Sequence, residues 1–207
     1  METSSPKLVI IVHGLFTSHT DSSPLEKLTP LLQDLGFEVH HYRYGFTNIV
    51  KALENAKVAE GLSSLIHSNL PRYSKILIIG HSNGCSISHI ALGMVGFTKV
   101  VDAIFLSPSV RASARIPNSV SSLEVFYNPF DVILRLMTPL SVLRNFLSRR
   151  NWGLMGVVGY LGTDRRVTNH KITPLTLLPY SHHNPTLTTD LHFTYLSLVL
   201  QRKYSFK

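Results

Sequence analysis

The sequence lacks the features that mark several classes of protein. It contains one cysteine, so no internal disulfide can form, which favours a reducing compartment. Charged residues make up only 15% of the chain, which argues against a charge-rich disordered segment. No apolar run approaches the roughly 18 residues of a membrane span, and the start of the sequence has no basic leader with a cleavage site. We therefore expect a cytoplasmic protein.

Recognisable metal and nucleic-acid motifs are also missing. The chain has 11 histidines, but none forms a His-Glu-x-x-His motif or has a partner at ligand spacing, so no metal is expected. The net charge of +8 is not concentrated in a basic run with interleaved aromatic residues, and we expect no nucleic acid as a partner. Two interpretations of the excess charge stay open: it is spread over the surface, or it attracts phospholipid or an acidic substrate.

The pattern that is present is an alternation of strands and helices. The length of 207 residues and the 44% hydrophobic content suit one domain with a sizeable core. Helical periodicity is found at residues 24–35, 48–70, 82–95 and 187–200. Short apolar segments predict about six strands, at residues 7–12, 37–42, 75–79, 100–106, 123–127 and 175–178. The alternation predicts an α/β fold with a doubly wound, mostly parallel sheet and helices on both faces.

Residues 80–84, Gly-His-Ser-Asn-Gly, follow a predicted strand and precede a predicted helix. A sharp strand-to-helix turn would lift the Ser82 hydroxyl clear of the sheet and leave no room for side chains at Gly80 and Gly84. The motif predicts Ser82 as a nucleophile. The plainer alternative is an ordinary turn between a strand and a helix.

A nucleophilic serine needs a base and an acid that orients the base. Asp131 follows the strand predicted at 123–127 and would lie at the same sheet edge as Ser82, although it could instead cap the next helix. His182 and His183 follow the last predicted strand. We favour His182 as the base and keep His183 as the alternative, with the other ring lining the pocket.

An oxyanion hole needs backbone donors that are already aimed. Gly14 lets the chain turn tightly at the end of the first strand, so the N–H groups of Leu15 and Asn83 are the predicted donors. An ordinary glycine at a strand end is the alternative.

Taken together, His13-Gly14, residues 80–84, Asp131 and His182 resemble the α/β-hydrolase superfamily, in its compact lipase/esterase-like branch. The resemblance runs from Lys7 to the final helix. It implies a minimal α/β-hydrolase fold, an acyl-enzyme mechanism and no cofactor. The expected function is hydrolysis of a carboxylic ester, with a small-molecule acyl ester or a lipid as substrate. A thioesterase or acyltransferase with the same triad, or a non-catalytic binding protein on this fold, are the alternatives.

The resemblance also bears on residues 132–171, which separate the last two predicted strands. Residues 132–146 have an amphipathic helical pattern, and residues 152–162 contain four glycines and predict a loop. We interpret residues 1–207 as a single domain with a basic, lid-like insertion at about 132–171. Such a lid could contact an anionic membrane surface, although a solvated helix and loop packed on the sheet is the plainer interpretation. The insertion is basic because of its arginines, Arg135, Arg144, Arg149, Arg150, Arg165 and Arg166.

Overall fold

A six-stranded parallel sheet organises the part of the chain that the computed structural model describes, which is residues 5–14, 24–44, 55–96, 100–136, 153–173 and 190–205. The strand order is β2-β1-β3-β4-β5-β6, and every neighbouring pair is parallel. The central strands are almost continuous apolar runs because both faces of the sheet are covered. The strands are β1 (Lys7–Val12), β2 (Phe37–Tyr42), β3 (Lys75–His81), β4 (Val101–Leu106), β5 (Val120–Tyr127) and β6 (Val167–Lys171).

Helices cover both faces of this sheet. Successive residues of a strand point to opposite faces, so Ile10 of β1 packs in one buried cluster and Ile11 in the other. The first cluster includes residues of α2 and α3, and the second includes residues of α1 and α5. The prediction of a doubly wound α/β fold is therefore confirmed. The helices are α1 (Thr29–Asp34, after a 3-10 turn at Pro24–Leu28), α2 (Asn55–Asn69), α3 (Asn83–Met94), α4 (Met155–Val158) and α5 (Asp190–Tyr204).

The end of the sheet differs from the sequence prediction. The sixth strand, β6, lies inside the segment that we interpreted as an insertion, and the strand predicted at 175–178 falls outside the described residues. Strand β6 is the last strand of the sheet in the described part of the chain. Most of its residues are polar and exposed, so it has no apolar run to reveal it.

The loop predicted over residues 152–162 was wrong at α4, where Met155 is fully buried in the core. A Cβ on Gly156 would lie 2.7 Å from the Ser107 carbonyl carbon, so this helix packs directly on the chain that leaves β4. Residues 132–136 are helical as predicted, and residues 137–150 lie outside the described ranges. A mobile lid over that stretch stays a prediction.

Two helix ends follow the signals in the sequence. After α1 the chain turns at Gly36, whose φ of 77° lies in the left-handed region that glycine favours. Helix α2 ends at Asn69, two residues before Pro71. Among the helices described, none is long and apolar enough to cross a bilayer.

Candidate active site

Ser82 occupies the turn between β3 and α3 in a strained backbone conformation. Its φ of 51° and ψ of −119° are unusual for a residue with a side chain, and such strain costs about 1–3 kcal/mol. The backbone is held from two sides. Its N–H donates to the Leu106 carbonyl at 2.9 Å, and its carbonyl accepts hydrogen bonds from the Cys85 N–H and the Ser109 hydroxyl, both at 3.1 Å. The surrounding chain therefore fixes this turn.

Of the two glycines that flank Ser82, Gly84 is sterically required and Gly80 is closely packed. A Cβ on Gly80 would come within 3.1 Å of the Cys85 backbone. A Cβ on Gly84 would overlap the carbonyl oxygens of Val12 and His13. The first turn of α3 thus packs directly on the end of β1, which is the steric role that the Gly-x-Ser-x-Gly motif predicts. We call residues 80–84 the elbow.

The elbow is also tied to the chain that follows β4. Ser86 on α3 donates to the Ser109 carbonyl at 2.7 Å, and the two hydroxyls lie 3.1 Å apart. The cysteine beside them is not a competing nucleophile. Cys85 is fully buried, and burial raises the pKa of its thiol well above the ordinary value, so the reactive thiolate does not form at neutral pH.

The chain leaving β1 passes close to the serine. A Cβ on Gly14 would lie 3.1 Å from the Ser82 Cβ and 3.0 Å from His81 Nδ1. Leu15, the next residue and a predicted oxyanion donor, lies outside the described residues. Asn83, the other predicted donor, is the first residue of α3, and its N–H belongs to the first turn, which has no intrahelical acceptor. Its buried side chain forms a reciprocal amide pair with Asn55 of α2, at 2.9 and 3.2 Å.

Asp131 lies beyond the end of β5 at the same edge of the sheet as the elbow, and it is fully buried. Its Oδ1 accepts the Leu134 N–H at 2.9 Å, so the carboxylate caps the helical residues 132–136, which was the alternative role. A cap engages one oxygen, and a carboxylate has two, so capping is compatible with orienting an imidazole.

The predicted bases, His182 and His183, lie outside the described residues, and the complete triad stays a prediction. One strand, β4, lies between β3, which leads into Ser82, and β5, which leads to Asp131, so the axes of β3 and β5 are roughly 10 Å apart.

A second carboxylate–imidazole pair, which the sequence analysis did not identify, lies on β5 and β6, away from the elbow. Glu124 of β5 bonds His170 Nε2 of β6 at 2.8 Å, and Nδ1 of the same ring bonds the Tyr195 hydroxyl at 2.8 Å. Lys203 occupies the other oxygen of Glu124 at 2.6 Å. Burial alone would raise the pKa of Glu124, but the hydrogen bonds from His170 and Lys203 lower it below its ordinary value.

This second pair lines a cleft of about 510 Å³ between β6 and α5. Both nitrogens of its imidazole are already hydrogen-bonded, and β6 is three strands away from the strand that carries the elbow. The pair therefore cannot serve Ser82, and its observed contacts join β5, β6 and α5. Sequence patterns do not reveal this pair, because β6 has no apolar run.

Two further histidines of the described ranges form hydrogen bonds with neighbouring groups. His41 Nε2 pairs with the Thr29 hydroxyl at 3.0 Å, and His89 Nε2 donates to the Arg115 carbonyl at 3.0 Å. Among the residues that the structure describes, no three His, Cys, Asp or Glu side chains are grouped as metal ligands would be.

Solved structures resemble the chain over most of its length. The esterase Pf2001 of Pyrococcus furiosus superposes with a TM-score of 0.59 and 15% identity, covering 96% of this chain and 82% of its own. XC6422 of Xanthomonas campestris, a member of the α/β serine hydrolases without a lid, gives a TM-score of 0.56 and 15% identity, covering 98% and 84%. The chain has the α/β-hydrolase fold. No protein family and no curated protein matches the sequence.

At this identity the likeness establishes the fold alone. In the α/β-hydrolase fold a nucleophilic serine sits on a strained strand-to-helix turn at the C-terminal edge of the sheet, and the acid and the base follow it in that order along the chain. Ser82 occupies that turn, and Asp131 follows the strand two places along the sheet.

Proposed function

We propose that the protein is a serine hydrolase that cleaves carboxylic esters. The observation that carries the proposal is the backbone of Ser82, a residue with a side chain held at a φ of 51° between Gly80, which packs closely on Cys85, and Gly84, which has no room for a Cβ. Strain of this kind persists only where the surrounding structure enforces it, and it clusters at functional sites. An ordinary turn would need neither the strain nor the close contact with β1.

The proposed reaction begins with attack of Ser82 Oγ on the acyl carbonyl. His182, or His183 as the alternative base, takes the proton and later gives it to the leaving alcohol, which produces an acyl-enzyme. Water then releases the acid with the help of the same base. Acid–base catalysis of this kind contributes about 10²- to 10⁴-fold to the rate.

Asp131 and two backbone N–H groups complete the proposed machinery. The buried Asp131 carboxylate orients the imidazole and stabilises its charged form. The N–H groups of Leu15 and Asn83 bind the oxyanion, and one such donor is worth about 10²- to 10³-fold. No step in this scheme requires a cofactor. The proposed substrate is a small-molecule acyl ester or a lipid.

A fluorophosphonate probe tests the proposal directly, because it labels only an activated serine. We expect labelling of the wild-type protein and none of Ser82→Ala. Ser88→Ala is the matched control. Ser88 lies on the same helix, is fully buried, and its hydroxyl has no hydrogen-bond partner in the described part of the chain. This control should label like the wild type.

Chromogenic esters of increasing acyl length, from acetate to laurate, then define the substrate. We expect turnover that Ser82→Ala abolishes. Faster turnover of matched thioesters would instead favour a thioesterase, and product formation that depends on an added alcohol would favour an acyltransferase. If a folded wild-type protein is neither labelled nor active, the proposal fails and a binding protein on this fold is the better explanation.

A further inference from the structure

Tyr44 lies where the end of β1 meets the elbow. It follows β2 by two residues, and its hydroxyl donates to the His13 carbonyl at 2.6 Å. The Tyr44 ring stacks on the His13 imidazole, with centroids 4.5 Å apart and the planes 7° from parallel. Burial raises the pKa of the Tyr44 phenol, and hydrogen bonding from the Asn83 side chain opposes that rise. The Tyr44 side chain therefore holds the end of β1 at the point where Gly84 of the elbow packs on the His13 carbonyl.

The residues that Tyr44 contacts adjoin both proposed oxyanion donors. Asn83 carries one donor, and His13 stands two residues before Leu15, which carries the other. His13 Nδ1 lies 3.0 Å from the Gly14 carbonyl oxygen, and it must be the donor because a carbonyl only accepts. The ring that stacks on Tyr44 therefore also holds the Gly14 carbonyl.

The contact between β1 and the elbow makes the position of the His13 carbonyl critical. The Gly84 Cα is pressed against the Val12 and His13 carbonyl oxygens, and Gly14 passes beside the Ser82 Cβ. A shift of the His13 carbonyl would therefore displace the elbow, which carries Ser82 and the Asn83 N–H. Displacements of about 1 Å at such a site can cost on the order of 10²-fold in rate.

We propose that Tyr44 is a positioning residue for the oxyanion hole. It holds the His13 carbonyl and ring, and so fixes the end of β1 against which the elbow packs with its Asn83 N–H donor. Tyr44 does not touch the reacting atoms. The inference rests on the proposed ester hydrolysis and names a residue on which the geometry of that site depends.

Tyr42 provides a matched control. Two residues earlier in the chain, its hydroxyl also donates to a backbone carbonyl, that of Val58 on α2, at 2.9 Å. The substitutions Tyr44→Phe and Tyr42→Phe each remove one hydroxyl and one hydrogen bond to a carbonyl. Only the first acts at the elbow.

The experiment measures kcat and KM of both variants on the best chromogenic ester. We expect kcat of Tyr44→Phe to fall about tenfold, the loss that corresponds to one hydrogen bond, with little change in KM. Tyr42→Phe should keep the wild-type kcat. The two urea unfolding midpoints should shift by similar amounts, which separates positioning from general stability.

An alkyl boronic acid gives a second measurement. Ser82 Oγ adds to boron, and an oxygen of the tetrahedral adduct occupies the oxyanion hole, so the inhibition constant should rise in Tyr44→Phe by about the factor by which kcat falls. An unchanged kcat in Tyr44→Phe, or an equal loss in both variants, overturns the role of Tyr44 while the hydrolase proposal stands. A wild-type protein without labelling or turnover overturns both.

Discussion

An aspartate is buried near each end of the parallel strands, Asp102 where the strands begin and Asp131 beyond their C-terminal ends, and the surroundings of the two differ. Asp102, near the start of β4, accepts hydrogen bonds from Ser121 at 2.5 Å and Ser122 at 2.6 Å. Its second oxygen receives the Tyr204 hydroxyl at 3.1 Å and pairs with Lys75 at 3.3 Å. The carboxylate is saturated by these groups, and it joins the sheet to α5.

Burial by itself would raise the pKa of Asp102. The hydrogen bonds from Ser121 and Ser122 and the charge of Lys75 more than offset this effect and lower the pKa below its ordinary value. This environment stabilises a permanent charge.

Asp131 lies at the opposite edge, where the strands end and the N-terminus of α3 faces the loops. Ligands bind at that edge in open parallel sheets. The comparison shows that burial alone does not distinguish the two carboxylates, whereas position relative to the strand direction does, and the proposed role of Asp131 rests on that position.

Exchanging each aspartate for asparagine gives the sharpest test of this comparison. Asp131→Asn should lower kcat/KM by about 10²- to 10⁴-fold, because the amide cannot stabilise the charged imidazole. Asn also caps helices well, so the fold should survive. Asp102→Asn should keep wild-type kcat/KM on the same chromogenic ester. Equal activity losses in the two variants would show that the two aspartates do not differ in their importance for activity.

The two ends of α3 offer a second comparison, in which the expected loss of activity is about 10²-fold. Gly84→Ala forces a Cβ onto the Val12 and His13 carbonyls, so the elbow must shift and activity should fall by on the order of 10²-fold. A Cβ on Gly93, near the other end of the helix, would meet nothing within 4 Å, and Gly93→Ala should leave activity intact. It should also raise the free energy of unfolding by about 0.5–1 kcal/mol. Steady-state kinetics and urea unfolding check both, and an active Gly84→Ala enzyme would contradict the packing argument.

The smallest expected effect is on stability and depends on pH. Asp102→Asn should lower the free energy of unfolding at pH 7 by about 1–3 kcal/mol, because hydrogen bonds to a charged group are lost. The folded pKa of Asp102 lies below the unfolded value of about 3.9, so its contribution is complete above that value and is lost as the pH falls through the folded pKa. The difference between wild type and variant should therefore shrink on acidification. Urea unfolding of both proteins at neutral and at acidic pH measures it, and a constant difference would show that Asp102 is not a stabilising charge.

Much of the fold could be predicted from the sequence because its central strands are buried on both faces. The bounds of β1 and β2 agree with the prediction to the residue. Strand β6 could not be predicted, since its five residues are mostly polar and exposed, form no apolar run and are placed by their pairing with β5. The Glu124–His170 pair was missed for the same reason.

Part of the candidate site could likewise be predicted from the sequence, and part could not. The elbow was predictable because its chemistry and its steric demands fall within five consecutive residues. The contact of Tyr44 with His13 and the amide pair of Asn55 with Asn83 join residues about 30 positions apart. No local pattern encodes such pairs, and they become visible only when α2 and β2 are packed against the elbow.

The hydrogen bond from Ser109 to the Ser82 carbonyl has a consequence for engineering the protein. The stretch after β4 is coupled to the proposed nucleophile, so lengthening or reshaping that stretch would displace Ser82. Attempts to widen the range of proposed substrates should leave residues 107–109 unchanged and vary segments that form no hydrogen bond with the elbow.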